Sequence, residues 1–220
     1  NVELSELCYQ YRYDSRNRLI EKKIPGKDWE YIVYNLLDQP ILTQDANLRK
    51  ENSEKPWDQW LFTKYDAYGR VIFTGAALNG STRKIIQNRA NATTVSQYET
   101  KTETPVTIAG TKVYYSADGY PHRRSLYKIY TINYYDDYTF DTASLSLPTQ
   151  TSFGQQIINY NNTTPIKTKG LVTGTKVRVL ETNNWITSLT GYDKKGRVIY
   201  VVRKNEYLKT TDIVENKLDF

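Results

Sequence analysis

Apolar and polar residues alternate most cleanly through LFTKYD and GRVIFTG, residues 61–66 and 69–75. A period of two puts successive side chains on opposite faces of a strand, so the two runs predict a β-hairpin with one face buried. Similar patterns predict a hairpin over residues 4–24, a strand in WEYIVYNL, and an outward run through PILTQD. Further strands are predicted in TKVYYSADGYPHRR, LYKIYTINYYDDYTF, TPIKTKGLVTGTKVRVL, NNWITSLTGYD, GRVIYVVRKN and TTDIVENKLD. Helical spacing occurs once, where Ile85, Ile86 and Arg89 predict a short helix over Thr82 to Ala90. Tyr98 to Val106 suits a loop or an edge strand. The polar stretch NLRKENSEKPWDQW is expected to project as a loop, and the Ser/Thr-rich segment at about 142–156 as a long surface excursion.

The strands recur with a fixed punctuation between them. Aligned on their aromatic residue, the units read Tyr13-Asp14 with Asn17-Arg18-Leu19, Tyr34-Asn35 with Asp38-Gln39-Pro40, Tyr65-Asp66 with Gly69-Arg70-Val71, and Tyr192-Asp193 with Gly196-Arg197-Val198. The fifth position is always Asn, Asp or Gly, the residues that most readily adopt positive φ. Each unit is therefore expected to be a hairpin corner: a strand arrives through the tyrosine, reverses, and leaves through the residues after the arginine. The aspartate is placed to accept backbone N–H bonds across the corner, and the arginine to pair with a carboxylate or lie along a tyrosine. One hairpin cannot bury both faces, so neighbouring hairpins must continue the sheet.

These units resemble the tyrosine–aspartate (YD) repeats of the RHS family, whose members include bacterial polymorphic toxins and whose repeats are similar to those of the teneurins. LCYQYRYDSRNRLIEKKIPG, WEYIVYNLLDQPILTQDANLR, YYDDYTF, KGLVTGTKVRVL and YDKKGRVIYVVRKN resemble, more narrowly, the variant in large cell-surface or secreted proteins of Bacteroidetes. The resemblance touches residues 4–76, 127–141 and 168–220. It departs from the pattern at Asn35 and Pro40, and residues 77–126 carry no clear unit. The resemblance implies an all-β fold in which tandem hairpins form a curved or spiralling antiparallel sheet, one segment of a larger shell spanning 1–220. Residues 77–126 would be a degenerate or decorated stretch of it. It implies a non-catalytic role in an exported protein whose shell encloses or presents a C-terminal toxin or effector. The partners would be neighbouring repeats and the enclosed domain of the same polypeptide, and the chain is expected to be an internal piece of that polypeptide, secreted or at the cell surface.

Composition agrees with sheet. Among 220 residues there are 20 tyrosines and 4 tryptophans, side chains that suit half-buried strands. The formal charge of +6 is dispersed among acidic residues, so no compact basic groove predicts nucleic-acid binding. No apolar run is long enough for a membrane-spanning helix. Cys8 is the only cysteine; it excludes an intrachain disulfide and is expected to be a small buried residue of the first strand.

Candidate chemistry is sparse, and no cofactor is expected. His122 is the sole histidine and sits in the turn-like DGYPHRR, so a Ser-His-Asp triad would rest wholly on it. Asp136 and Asp137 are expected to alternate across a strand, which leaves only one of them on a given face. Glycoside hydrolysis would need two carboxylates held across a cleft. Trp57 and Trp60 flank the polar stretch and are candidate binding aromatics, which defines the alternative function of an adhesin or a glycan- or protein-binding surface module. Capping of the apolar face of the sheet is the competing role for the same two residues.

Overall fold

The computed structural model describes residues 3, 6–49, 58–158 and 168–219. The described chain is predominantly antiparallel β-sheet. Its strands are β1 (Gln10–Tyr13), β2 (Leu19–Lys23), β3 (Glu30–Tyr34), β4 (Pro40–Gln44), β5 (Gln59–Tyr65), β6 (Val71–Leu78), β7 (Lys101–Ile108), β8 (Thr111–Tyr115), β9 (Leu126–Tyr135), β10 (Val172–Arg178), β11 (Trp185–Tyr192), β12 (Val198–Asn205) and β13 (Thr210–Glu215). Between the strands, among the described residues, lie α1 (Ala46–Arg49) and α2 (Arg83–Ala90). The chain divides into two compact units, Asn1–Thr102 with Val106–Ile129, and Glu103–Pro105 with Tyr130–Phe220.

In the first unit the hydrogen-bonded order follows the sequence, β1-β2-β3-β4-β5-β6, with the start of β9 beside β6. The alternation of β5 buries Trp60, Phe62 and Lys64 on one face. Phe62 meets Phe73 edge to face, with ring centroids 6.0 Å apart, and Phe73 packs against Tyr115 of β8. β6 is buried or half-buried at every position, so it lacks the exposed face that the alternation in GRVIFTG predicted. Residues 77–126 hold the end of β6, α2, the β7–β8 hairpin and a 3₁₀ turn at Arg123–Ser125. The β7–β8 turn uses Ala109 and Gly110, both at positive φ, the backbone that matches strand twist in a two-residue hairpin.

In the second unit the remainder of β9 is followed by β10, β11, β12 and β13. Tyr134 stacks on Phe140, with centroids 4.1 Å apart and planes within 6°. The stack needs Gly174, where a Cβ would lie 2.2 Å from the Phe140 ring. The Ser/Thr-rich segment lies down on this unit. Thr151 and Ile157 are buried, Lys204 Nζ donates to Ala143 O at 2.9 Å, and the Ser152 hydroxyl donates to Glu215. Most of residues 142–156 are exposed or half-buried, with Thr151 the buried exception.

Cys8 is exposed, not buried as its apolar neighbours suggested. β1 is the outermost strand of the first unit and exposes Tyr11 and Tyr13, as does the preceding Tyr9, so the segment leading into it has no layer to sink into.

Candidate functional site: the hairpin corners and their covers

The four aligned units form corners with one shared geometry. At each, the N–H of the second residue donates to the carbonyl of the sixth, and the N–H of the fifth donates back to the carbonyl of the second. The distances are 3.0 and 3.0 Å at Asp14, 3.0 and 3.3 Å at Asn35, 3.0 and 3.0 Å at Asp66, and 2.9 and 3.0 Å at Asp193. The fifth residue has positive φ in every case: Asn17 at 56°, Asp38 at 62°, Gly69 at 78° and Gly196 at 74°. One oxygen of the second residue accepts the N–H of the fourth and the sixth, as Asp193 Oδ1 does from Lys195 at 2.8 Å and Arg197 at 3.0 Å. In the three aspartate corners the other oxygen takes the arginine Nε, at 2.8 Å for Arg18, 2.6 Å for Arg70 and 2.7 Å for Arg197. Asn35 keeps the backbone bonds and substitutes Gln39 for the arginine.

Each corner also carries a β-bulge that the four-unit alignment does not reveal. The tyrosine pairs with the seventh residue while the preceding residue pairs with the ninth, so the eighth is left unpaired. That residue is Ile20, Ile41, Ile72 or Ile199, and the last three are buried. The signal was present in sequence, since isoleucine follows the aliphatic or proline residue in all four units.

A fifth corner is split. Tyr135 pairs with Val172 and Tyr134 with Gly174, which leaves Thr173 bulged and buried. Asp136 N donates to Leu171 O at 3.0 Å, and Gly170 stands at the turn position with φ of 86°. Tyr135-Asp136 and Gly170-Leu171-Val172 are thus the two halves of one corner, separated by residues 137–169. β9 ends at Tyr135, so Asp136 and Asp137 do not alternate across a strand. Asp136 accepts from Gly170 N, and Asp137 accepts from Thr139.

Successive hairpins are tied by their tyrosines. Tyr34 Oη donates to Leu19 O and Tyr65 Oη to Pro40 O, both at 2.9 Å, and Tyr192 Oη donates to Val172 O at 2.6 Å. Every acceptor is the seventh residue of the hairpin before. The sixth and fifth residues add a second link: Arg18 Nη1 reaches Asp38 Oδ1 at 2.7 Å, Gln39 abuts Gly69, and Leu171 abuts Gly196. Arg18 also lies 4.7 Å over the Tyr34 ring.

Burial pushes the phenols of Tyr34, Tyr65 and Tyr192 above their ordinary value. An acid whose folded-state pKa is raised stabilises the fold fully below its unfolded value and loses that contribution as pH rises through the folded one. Unfolding by alkali is therefore expected to accompany phenolate formation at these residues. Absorbance at 295 nm followed beside circular dichroism checks this; native-like dichroism after all 20 tyrosines had ionised would contradict it.

At Asp14 and Asp193, burial raises the carboxyl, but hydrogen bonds from the arginine side chain and two backbone N–H groups, with the arginine charge, outweigh it and hold both below 3.8. Their contribution is present above pH 3.8 and is lost as pH falls through the lower folded-state values. Asp193→Ala removes three hydrogen bonds around a carboxylate and is expected to cost about 2 kcal/mol at neutral pH. Asp193→Asn, the residue type already used at position 35, should cost less than half of that and flatten the acid limb of a melting-temperature profile.

Three corners are capped by segments outside the strand order. Gln87 of α2 brackets Tyr34, accepting from its N–H at 3.0 Å and donating to its carbonyl at 2.7 Å. Glu99 N donates to Tyr65 O and Ile158 N to Tyr192 O, both at 2.8 Å. Each cap satisfies the tyrosine carbonyl that it reaches.

Glu99 also anchors a buried charge cluster. Lys64 Nζ donates to Glu99 Oε1 at 2.8 Å and to Gly119 O at 2.6 Å, with the two side chains only 3% and 1% exposed. Ser116 Oγ and Asp118 N donate to Glu99 Oε2 at 2.7 and 2.9 Å, and Gly119 N to Oε1 at 3.1 Å. Burial pushes the Lys64 ammonium down from its ordinary value, opposed by the charge and hydrogen bond of Glu99. This cluster fastens residues 96–100 and 116–120 to β5.

The remaining candidates are placed as follows. Trp60 is 1% exposed and donates its indole N–H to Asn79 O; it shares the inward face of β5 with Phe62 and so has no surface for a ligand. Trp57 lies outside the described residues. His122 is exposed and packs edge-on against Tyr120 at 5.4 Å. Among the described residues, no group of three or more His, Cys, Asp or Glu is arranged to hold a metal ion, and no helix is long and apolar enough to cross a membrane.

No protein-family model matches the sequence, and no curated protein matches it. Among solved structures, the chain is similar to the crystal structures of TcdB2-TccC3-TEV, with 11% identity and a TM-score of 0.24, and TcdB2-TccC3-Cdc42, with 10% and 0.24. It is also similar to the Photorhabdus luminescens Tc holotoxin pore, with 12% and 0.25. Each match covers 96% of this chain but 12% of the other, so this chain spans about an eighth of the length of those it matches. Scores of this size do not assign it a family.

Proposed function

We propose that the chain is a non-catalytic structural segment of a large exported protein, built from tandem tyrosine–aspartate hairpins of RHS type that form a β-shell around, or present, a C-terminal toxin or effector. The observation that carries this reading is the recurrence of one corner with the same backbone hydrogen bonds, with a tyrosine hydroxyl tying one hairpin to the next. Such a unit adds hairpins without limit, because each leaves the same acceptor for its successor. Exposed apolar residues on the outermost strands, Tyr11 and Tyr13 on β1 and Ile213 and Val214 on β13, supply surface for further hairpins, and uncovered strand edges of this kind are otherwise liabilities. The adhesin alternative loses Trp60 to the core.

The test is to isolate the native polypeptide that contains residues 1–220, sequence it, and subject it to limited proteolysis. Many more corners followed by an unrelated C-terminal domain, with residues 1–220 inside a protease-resistant body, is the expected result. A polypeptide with no further corners would overturn the proposal.

A further inference from the structure

Three corner tyrosines share one register with the hairpin before them. Tyr31 pairs with Glu21, Phe62 with Leu42 and Leu189 with Gly174. Each first-named residue lies three positions before a corner tyrosine, and its partner two positions after the carbonyl that the tyrosine hydroxyl reaches. Glu215 pairs with Tyr200, and the same steps lead to Leu218 and to the carbonyl of Val198. Val198 is the seventh residue of its hairpin, as Leu19, Pro40 and Val172 are of theirs. Leucine has no hydroxyl, and Asn216 Nδ2 donates to Val198 O at 3.2 Å in its stead. Asp219 follows Leu218 as Asp14, Asp66 and Asp193 follow their tyrosines.

The backbone of Leu218 is also held as that of a corner residue is. Gln155 accepts from Leu218 N–H at 3.3 Å and donates to Leu218 O at 3.1 Å, the bracket that Gln87 places on Tyr34 at 3.0 and 2.7 Å. A glutamine amide can do this because it carries a donor and an acceptor at one end, matching the N–H and C=O of a single residue. We infer that Leu218 and Asp219 hold the first two positions of a further corner, and that each of the two long segments interrupting the hairpin series staples a pair of consecutive corners. The segment between β6 and β9 brackets Tyr34 with Gln87 and gives Tyr65 O the N–H of Glu99. The segment between β9 and β10 gives Tyr192 O the N–H of Ile158 and brackets Leu218 with Gln155. The strands that arrive at the other five corners, β1, β3, β5, β9 and β11, each pair along one edge with the strand that leaves the same corner. By the same rule the outer edge of β13 fits an antiparallel strand of the same repeat. That role of the edge rests on the reading of this chain as part of a larger protein.

Hydrogen exchange over residues 210–219, read by mass spectrometry in the native polypeptide that contains residues 1–220, tests the register. Asn216→Ala removes the bond to Val198 and is expected to speed exchange there about fivefold, the effect of one lost hydrogen bond. Leu218→Tyr restores a corner hydroxyl, so Asn216→Ala in that background is expected to change exchange by less than about twofold. Leu218→Phe supplies the ring without the hydroxyl and should leave the full effect of Asn216→Ala in place. Gln155→Ala is expected to speed exchange at Leu218 as Gln87→Ala does at Tyr34. Equal effects of Asn216→Ala in the tyrosine and phenylalanine backgrounds would overturn the inference, as would unchanged exchange at Leu218 in Gln155→Ala. The larger-protein reading, which stands on the other corners, would survive either result. The expected exchange pattern in a polypeptide with no further corners would keep Leu218 in the corner register and overturn the larger-protein reading, together with the role of the β13 edge that rests on it.

Discussion

Lys64→Met is expected to destabilise the protein by about 3–5 kcal/mol, because it leaves a buried carboxylate without its counter-charge. Methionine fills the volume of the lysine stem, so the loss isolates the charge. Glu99 would retain its bonds from Ser116 and from the Asp118 and Gly119 amides, which stabilise the carboxylate but carry no full positive charge. Glu99→Gln keeps one acceptor oxygen and removes the unpaired charge, so the double variant Lys64→Met/Glu99→Gln should recover part of what the single Lys64 variant loses. Urea unfolding with a fixed m-value measures all three. A Lys64→Met cost under about 1 kcal/mol, the range of exposed pairs, would show that water reaches the cluster.

Gly75→Ala should lower stability by about 3 kcal/mol, at the upper end of overpacking costs. Its Cβ would sit 2.0 Å from the Lys128 carbonyl oxygen and within 3 Å of two atoms of the Phe62 ring. The nearest obstacle is backbone, which no rotamer change relieves, so β9 must move away from β6 locally. Gly154→Ala is the control: its φ is +76° but nothing lies within 4 Å of the new Cβ, and its cost is the left-handed strain of about 1–2 kcal/mol. Equal melting-temperature losses for the two would refute the close approach. At Gly174 the obstacle is the Phe140 ring, so Phe140→Leu should partly offset Gly174→Ala and should leave Gly75→Ala unaltered.

The corners were legible in the sequence because their chemistry is local. A side-chain acceptor, a positive-φ residue and an arginine lie within six positions, and each residue type reports its own backbone requirement. The helix at Arg83–Ala90 was legible for the same reason. The caps were not, because Gln87 and Glu99 act on residues far back in the chain and no feature of their own segments announces a tyrosine carbonyl as partner. The split corner was hidden although YYDD and KGLV were both visible: loop closure depends only weakly on the length between them, so nothing local tells which later half belongs to which earlier one. Cys8 was misplaced, whereas Trp60, weighed between binding a ligand and capping the apolar face of the sheet, takes the inward position. An apolar neighbourhood does not bury a residue at an outermost strand, and proximity to a polar stretch does not expose one whose alternation points inward.

Tyr135 and Val172 keep the pairing of an ordinary corner while their connection departs at Asp136 and returns at Thr168. A hairpin of this design therefore holds its register across a long connection. The strand pairing on either side is kept by a tyrosine and an acceptor before the connection and a glycine after it. Lineages carrying such chains should differ most in the length and content of what is spliced into their corners, and least in the spacing of the strands that hold them.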